Sequence, residues 1–247
     1  MSLYVNISCP KPSFTPTRVP RRELGNQSGI GPSVDKKRSP IAGPGYRFIL
    51  AGVVLVLLGV VGGWPWLTGL GLVSGGFFAY FFRDPERAIP AEAGVIVSPA
   101  DGLVIRVDEV EENEFLKAPA RYVAIFMNVF DVHVNRSPVA GTVTAMRHRP
   151  GEYMAASRPD AASRNEQQAL VLESSQGRRV LVVQIAGLLA RRIIPFVKPG
   201  QTLARGERLG MICFGSRVDV YLPREAAIQV KVGDRVKAGS SIIGRWI

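Results

Sequence analysis

A serine preceded by a glycine, Gly215-Ser216, lies in the stretch MICFGSRVDVYLP that runs from Met211 to Pro223. A serine hydroxyl can attack the carbonyl of the residue before it and shift the acyl group from nitrogen to oxygen. The resulting ester can eliminate to dehydroalanine, whose hydrolysis leaves a pyruvoyl group. The serine thereby becomes a ketone able to form a Schiff base with an amine. Glycine suits the preceding position, because without a Cβ the backbone can take the tight or left-handed geometry that exposes its carbonyl to the neighbouring hydroxyl. Gly-Ser pairs are also common in loops, so the pair by itself leaves an ordinary turn open.

Such self-cleavage needs a base for the Ser216 proton and a group that holds the base in place. The chain has two histidines, His133 in FDVHVNRSP and His148 between two arginines in MRHRPGEY. The second reads as part of a solvated basic loop. Asp101, in SPADG, stands in good turn chemistry, Pro-x-Asp-Gly. The two cysteines, Cys9 and Cys213, are far apart and make neither a disulfide framework nor a ligand spacing, so a reducing compartment is the default and Cys213 reads as a small buried hydrophobe. No Gly-rich phosphate loop is present, and the cysteines and histidines do not form a ligand set, so no metal is expected.

Four stretches, in order, carry a resemblance: FFRDPER (Phe81 to Arg87), SPADG (Ser98 to Gly102), FDVHVNRSPVAGTV (Phe130 to Val143) and FGSRVDVYLP (Phe214 to Pro223). Together they resemble the short form of the phosphatidylserine decarboxylase family, over roughly Arg47 to the C-terminus. The resemblance implies a pyruvoyl-dependent enzyme that converts phosphatidylserine to phosphatidylethanolamine. It implies autocatalytic serinolysis at Gly215-Ser216, a cofactor derived from Ser216, His133 as the functional histidine and Asp101 as the aspartate that orients it. The products would be a large β chain ending at Gly215 and a 32-residue α chain, 216 to 247, held as a heterodimer and open to further homo-oligomerisation. One departure stands out. The longer bacterial form has a second histidine three residues after the first, and Arg136 takes that place here. Either His133 serves both cleavage and turnover, or Arg136 anchors substrate. Arg136, Arg217 and Lys198 are the basic residues available for the lipid phosphate, and Phe214 with Phe126 would give an apolar surround that disfavours the substrate carboxylate.

The elements that must position these residues begin with a basic lead. Net charge is +11; residues 1 to 47 contribute +6, residues 48 to 82 hold no charge, and the rest contribute +5. Residues 1 to 46 are rich in Pro, Ser, Gly and Arg without apolar period, which predicts a disordered tail whose Lys36-Lys37-Arg38 cluster either touches acidic head groups or is merely solvated. Aromatic residues are too sparse among these charges to favour nucleic acid. From Phe48 to Phe82 the chain is apolar, broken by Gly62, Gly63, Trp64 and Pro65. Arms of 14 and 16 residues, each short of the ~30 Å hydrocarbon core, predict a membrane-associated helical hairpin over 47 to 82, re-entrant or spanning a thinned bilayer. Arg47, Arg83 and Arg87 flank it and favour both ends on the cytoplasmic side of the cell's inner membrane.

From 83 to 247 the texture is strand-like, with runs at Val95 to Val97, Leu103 to Val107, Tyr122 to Phe126, Ala169 to Leu172 and Val180 to Ile185. Two internal echoes sharpen it. Ser98-Pro99 with Gly102 and Val104 recurs as Ser137-Pro138 with Gly141 and Val143, and a V-K-x-G pattern at Val197 to Gly210 recurs at Val230 to Gly244. These resemble the hammerhead units of biotinyl and lipoyl carriers, so the expected fold is mainly β, a barrel-sandwich-like core behind the N-terminal apolar hairpin. Helix is expected further only in parts of Asp160 to Gln168 and Ala186 to Ile194. A competing function is a membrane-tethered carrier or binding module without self-cleavage, which should present a lysine beside methionine at a hairpin tip; the chain has no Met-Lys pair. A pyruvoyl decarboxylase of another amine substrate is the third reading.

Overall fold

The short apolar runs after Arg83 form antiparallel strands, as β-branched residues bounded by Gly, Pro and Asp favour. A computed structural model describes residues 39–158, 160–188, 192–213 and 215–247; most of the expected tail, 1 to 38, and Phe214 lie outside the described residues. The strands are β1 (Val95–Val97), β2 (Gly102–Glu112), β3 (Ala118–Met127), β4 (Val134–Arg136), β5 (Gly141–Arg149), β6 (Gln167–Glu173), β7 (Arg179–Ile185), β8 (Ile193–Pro195), β9 (Thr202–Leu203), β10 (Arg208–Ile212), β11 (Ser216–Pro223), β12 (Ala226–Ile228), β13 (Arg235–Val236) and β14 (Ile242–Trp246). One sheet runs β13-β2-β3-β11-β7-β6-β5-β9, and two smaller ones run β4-β10-β8 and β1-β14-β12. All three contribute to one apolar core, with Val104, Ile125, Leu170, Val182 and Val218 from the large sheet, Leu209 and Ile212 from β10, and Ile96 with Ile243 from the third. This is the mainly β, sandwich-like architecture expected.

The internal echoes are structural. Ser98 and Ser137 each turn their hydroxyl onto the carbonyl two residues on, at 2.7 and 2.6 Å. The two turns pair across one another, Val97 N–H donating to the Pro138 carbonyl and Arg136 N–H to that of Pro99. Each then enters a long strand at a glycine, Gly102 or Gly141, where a Cβ would collide with the carbonyl of Phe126 or Glu173. The second echo closes the figure: Gly200 N–H bonds the Val143 carbonyl at 2.7 Å, and Gly233 N–H bonds that of Val104 at 2.9 Å.

Two helices precede the sheets, α1 (Tyr46–Val61) and α2 (Pro65–Phe81). Gly63, at φ +68°, and Pro65 at the head of α2 reverse the chain. The helices approach closely through small residues: a Cβ on Gly52 would lie 2.7 Å from the Cα of Gly75, and one on Gly71 2.6 Å from the Val56 nitrogen. Their outer faces expose Leu50, Val54, Leu57, Leu58, Trp66, Leu72 and Val73. Residues Gly43–Val61 are long and apolar enough to cross a membrane by length and composition. Ser39 to Gly45, at the end of the expected tail, pack back on the hairpin's exit, with Ile41 bridged to Arg83 and Ala42 N–H bonded to the Phe82 carbonyl.

Helix beyond the hairpin is shorter than expected. Among the described residues only α3 (Ala161–Arg164) forms there, because Gln167 onward is recruited as β6 beside β5 and β7. Between Ala186 and Ile194 the described residues contain no helix; Ile193 and Ile194 instead pair as β8 with β10, where β-branched side chains fit better.

Candidate active site

Ser216 is the first residue of β11, a strand held on both sides, by β3 and β7. Side chains alternate along it. Val218, Val220 and Leu222 enter the main core, while Arg217 and Asp219 go to the opposite face with Tyr122. Ser216 is fully buried, and its Oγ has no hydrogen-bond partner among the described residues. An unsatisfied buried hydroxyl costs about 1–3 kcal/mol and calls for a strain or catalytic reason. Gly215 before it sits at φ +61°, in the left-handed region. Its carbonyl oxygen fills the place where a side chain on Gly187 would stand.

His133 comes to this point from the turn before β4. Its Nδ1 lies 2.9 Å from the Asp131 carbonyl, and its Nε2 lies 3.3 Å from the Gly215 nitrogen. A carbonyl can only accept and a backbone N–H can only donate, so Nδ1 carries the proton and the Nε2 lone pair faces the Gly215 amide. The ring is fully buried. Burial lowers its pKa to about 4, against smaller upward pulls from the Asp131 carbonyl and carboxylate and a further lowering by Arg83. His133 is therefore a neutral imidazole at physiological pH with its basic nitrogen facing the backbone N–H of Gly215, the residue before Ser216.

The other sequence candidates are placed differently. Asp101 is held by both oxygens to Arg87, at 2.9 and 2.7 Å, and takes the Ala238 amide at 2.8 Å; the group that engages Nδ1 of His133 is the Asp131 carbonyl. Arg136 is buried and engaged within the chain, donating to the Gly206 carbonyl, to Asp84 at 2.9 Å and to the Pro85 carbonyl, and Arg208 pairs with the same Asp84. Arg217 is likewise spent on Asp219, Tyr122 and the Arg158 carbonyl. Lys198 is exposed, and Phe126 is partly buried on β3 opposite Arg217 in register. Cys213 is buried at the end of β10, where burial raises its thiol pKa. His148 is half-exposed on β5, 3.9 Å from Glu166.

Four contributors were not singled out from the sequence. Asp131 acts through its main chain, for which no side-chain signal exists. Gly187 is one of 26 glycines and is distinguished only by what lies against it. Phe81 and Asp84 lie inside the quoted FFRDPER stretch, so the signal was present but its role was not.

Residues 75–244 match the sequence profile described as phosphatidylserine decarboxylase. Curated relatives match most of the chain over nearly their own full length. A phosphatidylserine decarboxylase proenzyme of Symbiobacterium thermophilum is 48% identical over 214 residues, covering 85% of this chain and 98% of that one. One of Syntrophus aciditrophicus is 46% identical, covering 85% and 100%, and one of Desulfotalea psychrophila is 42% identical, covering 84% and 97%. With a profile match over most of its length and relatives at this identity, the chain belongs to the phosphatidylserine decarboxylase family.

Proposed function

We propose that this chain decarboxylates phosphatidylserine to phosphatidylethanolamine through a carbonyl that it makes from its own Ser216, and that His133 is the base for making it. The observation that carries the reading is the unpartnered, buried Oγ of Ser216 directly after a left-handed Gly215 whose amide faces the bare Nε2 of a neutral His133. The bond from Gly215 N–H to Nε2 is long at 3.3 Å, hence weak and easily exchanged for a proton from Oγ. His133 takes that proton as Oγ bonds the Gly215 carbonyl carbon, and returns it to the nitrogen as the C–N bond breaks. Loss of the Cα proton of residue 216 then breaks the Cβ–Oγ bond and frees Gly215 as a carboxylate; addition of water with departure of ammonia completes the carbonyl. An unpartnered hydroxyl at the buried head of a fixed strand fits this conversion. Once formed, the pyruvoyl group supplies a ketone that takes up the substrate's amine and draws the electron pair left when carbon dioxide departs. The chain's own later contribution is the dry wall around position 216, where a carboxylate is poorly solvated.

The apolar outer face of the hairpin supports a bilayer setting, with the β domain at the cytoplasmic face of the inner membrane, since Arg47 and Arg83 flank the two helices. Asp101 contributes by fixing Arg87 and hence the segment leaving the hairpin. The carrier reading gains nothing from the relatives, each named as a decarboxylase proenzyme.

Intact-mass analysis under denaturing conditions tests the proposal. Wild type should give two chains divided between 215 and 216, the smaller lighter than a serine start, and Ser216→Ala should give one chain without carbon dioxide release. An active preparation consisting only of whole chains would overturn it.

A further inference from the structure

Phe81, the last residue of α2, lies with its ring centroid 4.4 Å from that of His133, the planes 35° apart. Both side chains are fully buried. The contact is part of a cluster that joins the hairpin to the strands flanking the cleavage point: Ala42, Phe81 and Phe82 on one side, Val132, Val134, Met211 and Cys213 on the other. Phe81 is backed by Phe77 and Phe82, with centroids 6.1 and 5.1 Å away. The chain leaving the hairpin is clamped immediately afterwards. Asp84 N–H bonds the Pro40 carbonyl at 2.7 Å, the Asp84 carboxylate holds Arg136 and Arg208, and Arg83 donates to the Phe130 carbonyl at 2.6 Å. A phenyl ring at the end of an apolar helix is thus held against the imidazole from both sides.

We propose that Phe81 is a positioning residue for His133, so that the hairpin is a wall of the reaction centre as well as an anchor; this rests on the reading of His133 and Ser216 given above. The ring does two things there. It fixes the tilt of the imidazole, whose other restraints are the Asp131 carbonyl at Nδ1 and the long bond from Gly215 at Nε2. It also excludes water from the imidazole face, which keeps the base neutral. Among the described residues, the charged and titratable groups around the ring are Asp131, itself paired with Arg235 at 3.2 Å, Arg83 at the exit of α2, and the Cys213 thiol in the same cluster. None of them replaces the phenyl ring as a barrier to solvent.

The test follows chain splitting after a pulse of cell-free synthesis of the full chain into phospholipid vesicles, with the chase run from about pH 5 to about pH 8. Wild type, with His133 near 4, should split almost as fast at the acidic end as at the basic end. Phe81→Ala should be slower everywhere and should lose a further tenfold, roughly, at the acidic end as the imidazole returns toward its unperturbed ~6.5. Phe81→Tyr, which restores a ring, should recover most of both losses. Phe82→Ala is the control: it removes an equally buried ring of the same cluster, one that stacks on Phe48 and meets Phe81 edge-on, and should keep the wild-type profile whatever its rate. If Phe81→Ala does not accumulate, Phe81→Val is read for the same shift. A Phe81→Ala or Phe81→Val profile that superimposes on wild type, or a slower rate with its pH dependence unmoved, overturns the assignment. Wild type that never splits instead rejects the proposed function itself.

Discussion

The amide of Gly215 donates to Nε2 of His133 across 3.3 Å, while Nδ1 of the same ring is taken by the Asp131 carbonyl at 2.9 Å. One imidazole is thereby held in a single tautomer with its lone pair at the backbone N–H of Gly215, the residue before Ser216. Replacing His133 with alanine should slow chain splitting by about 10²–10⁴-fold, the usual worth of a positioned base. Pulse–chase gels read the rate directly; splitting at the wild-type rate would remove His133 from the chemistry.

Gly187 abuts the Gly215 carbonyl so closely that a methyl group there would overlap its oxygen. Gly187→Ala should displace that oxygen by a fraction of an ångström or more and reduce splitting by about 100-fold, as small misplacements of reacting atoms do. The β domain should persist, at a cost of about 1–3 kcal/mol for the overpacking. Circular dichroism beside the splitting assay separates the two effects.

His133 also makes stability depend on pH. Its pKa falls from about 6.5 in the unfolded chain to about 4 in the folded one, chiefly through burial. Between those values the unfolded chain binds the proton and the folded chain does not. Stability is therefore full above pH ~6.5 and declines as pH falls toward 4, by about 3 kcal/mol in total. Denaturant midpoints of uncleaved Ser216→Ala, compared with Ser216→Ala carrying His133→Phe, isolate this part; equal slopes in the two proteins would contradict it.

Asp84 serves two arginines, Arg136 and Arg208, at a site where it is 5% and Arg136 3% exposed. Asp84→Ala strands buried positive charge and should destabilise the chain by about 3–5 kcal/mol. Arg136→Lys should also be harmful, because an ammonium cannot span the Gly206 carbonyl, the Asp84 carboxylate and the Pro85 carbonyl that the guanidinium joins. Thermal unfolding in detergent measures both; near-wild-type melting of Asp84→Ala would show that the cluster holds nothing together.

Much of the fold was legible because it is written in local patterns. The run Val95 to Val97 is a strand with the expected bounds; the Ser-Pro echoes interlock through bonds from Val97 to Pro138 and from Arg136 to Pro99, and the V-K-x-G echoes bond alike, Gly200 to Val143 and Gly233 to Val104. The hairpin was legible from the absence of charge and from its Gly-Gly-Trp-Pro break. Side-chain partnership was not. Arg136 and Arg217 read as free cations for a lipid phosphate, yet each is consumed by a buried carboxylate, Arg136 by one 52 residues away and Arg217 by one two residues away across a strand pleat. Asp101, given an orienting role only by the family resemblance and otherwise reading as a turn aspartate, pairs with Arg87. A helix was expected near Ile194, where pairing with Met211 of β10 outweighed local preference. Long-range pairing decides these cases, and a single sequence does not record it.

The location of the Gly215-Ser216 junction immediately ahead of β11 has a consequence for the life of the molecule. A break there leaves a 32-residue fragment whose first eight residues pair with β3 and of which Arg217 to Tyr221 pair also with β7, so the nicked pieces stay together without a covalent tie. Once heat or denaturant separates them, however, recovery requires two strangers to meet in solution where a tethered chain had only to close on itself. Inactivation of the nicked form should accordingly be permanent in dilute samples, while the uncut precursor regains its shape independently of concentration.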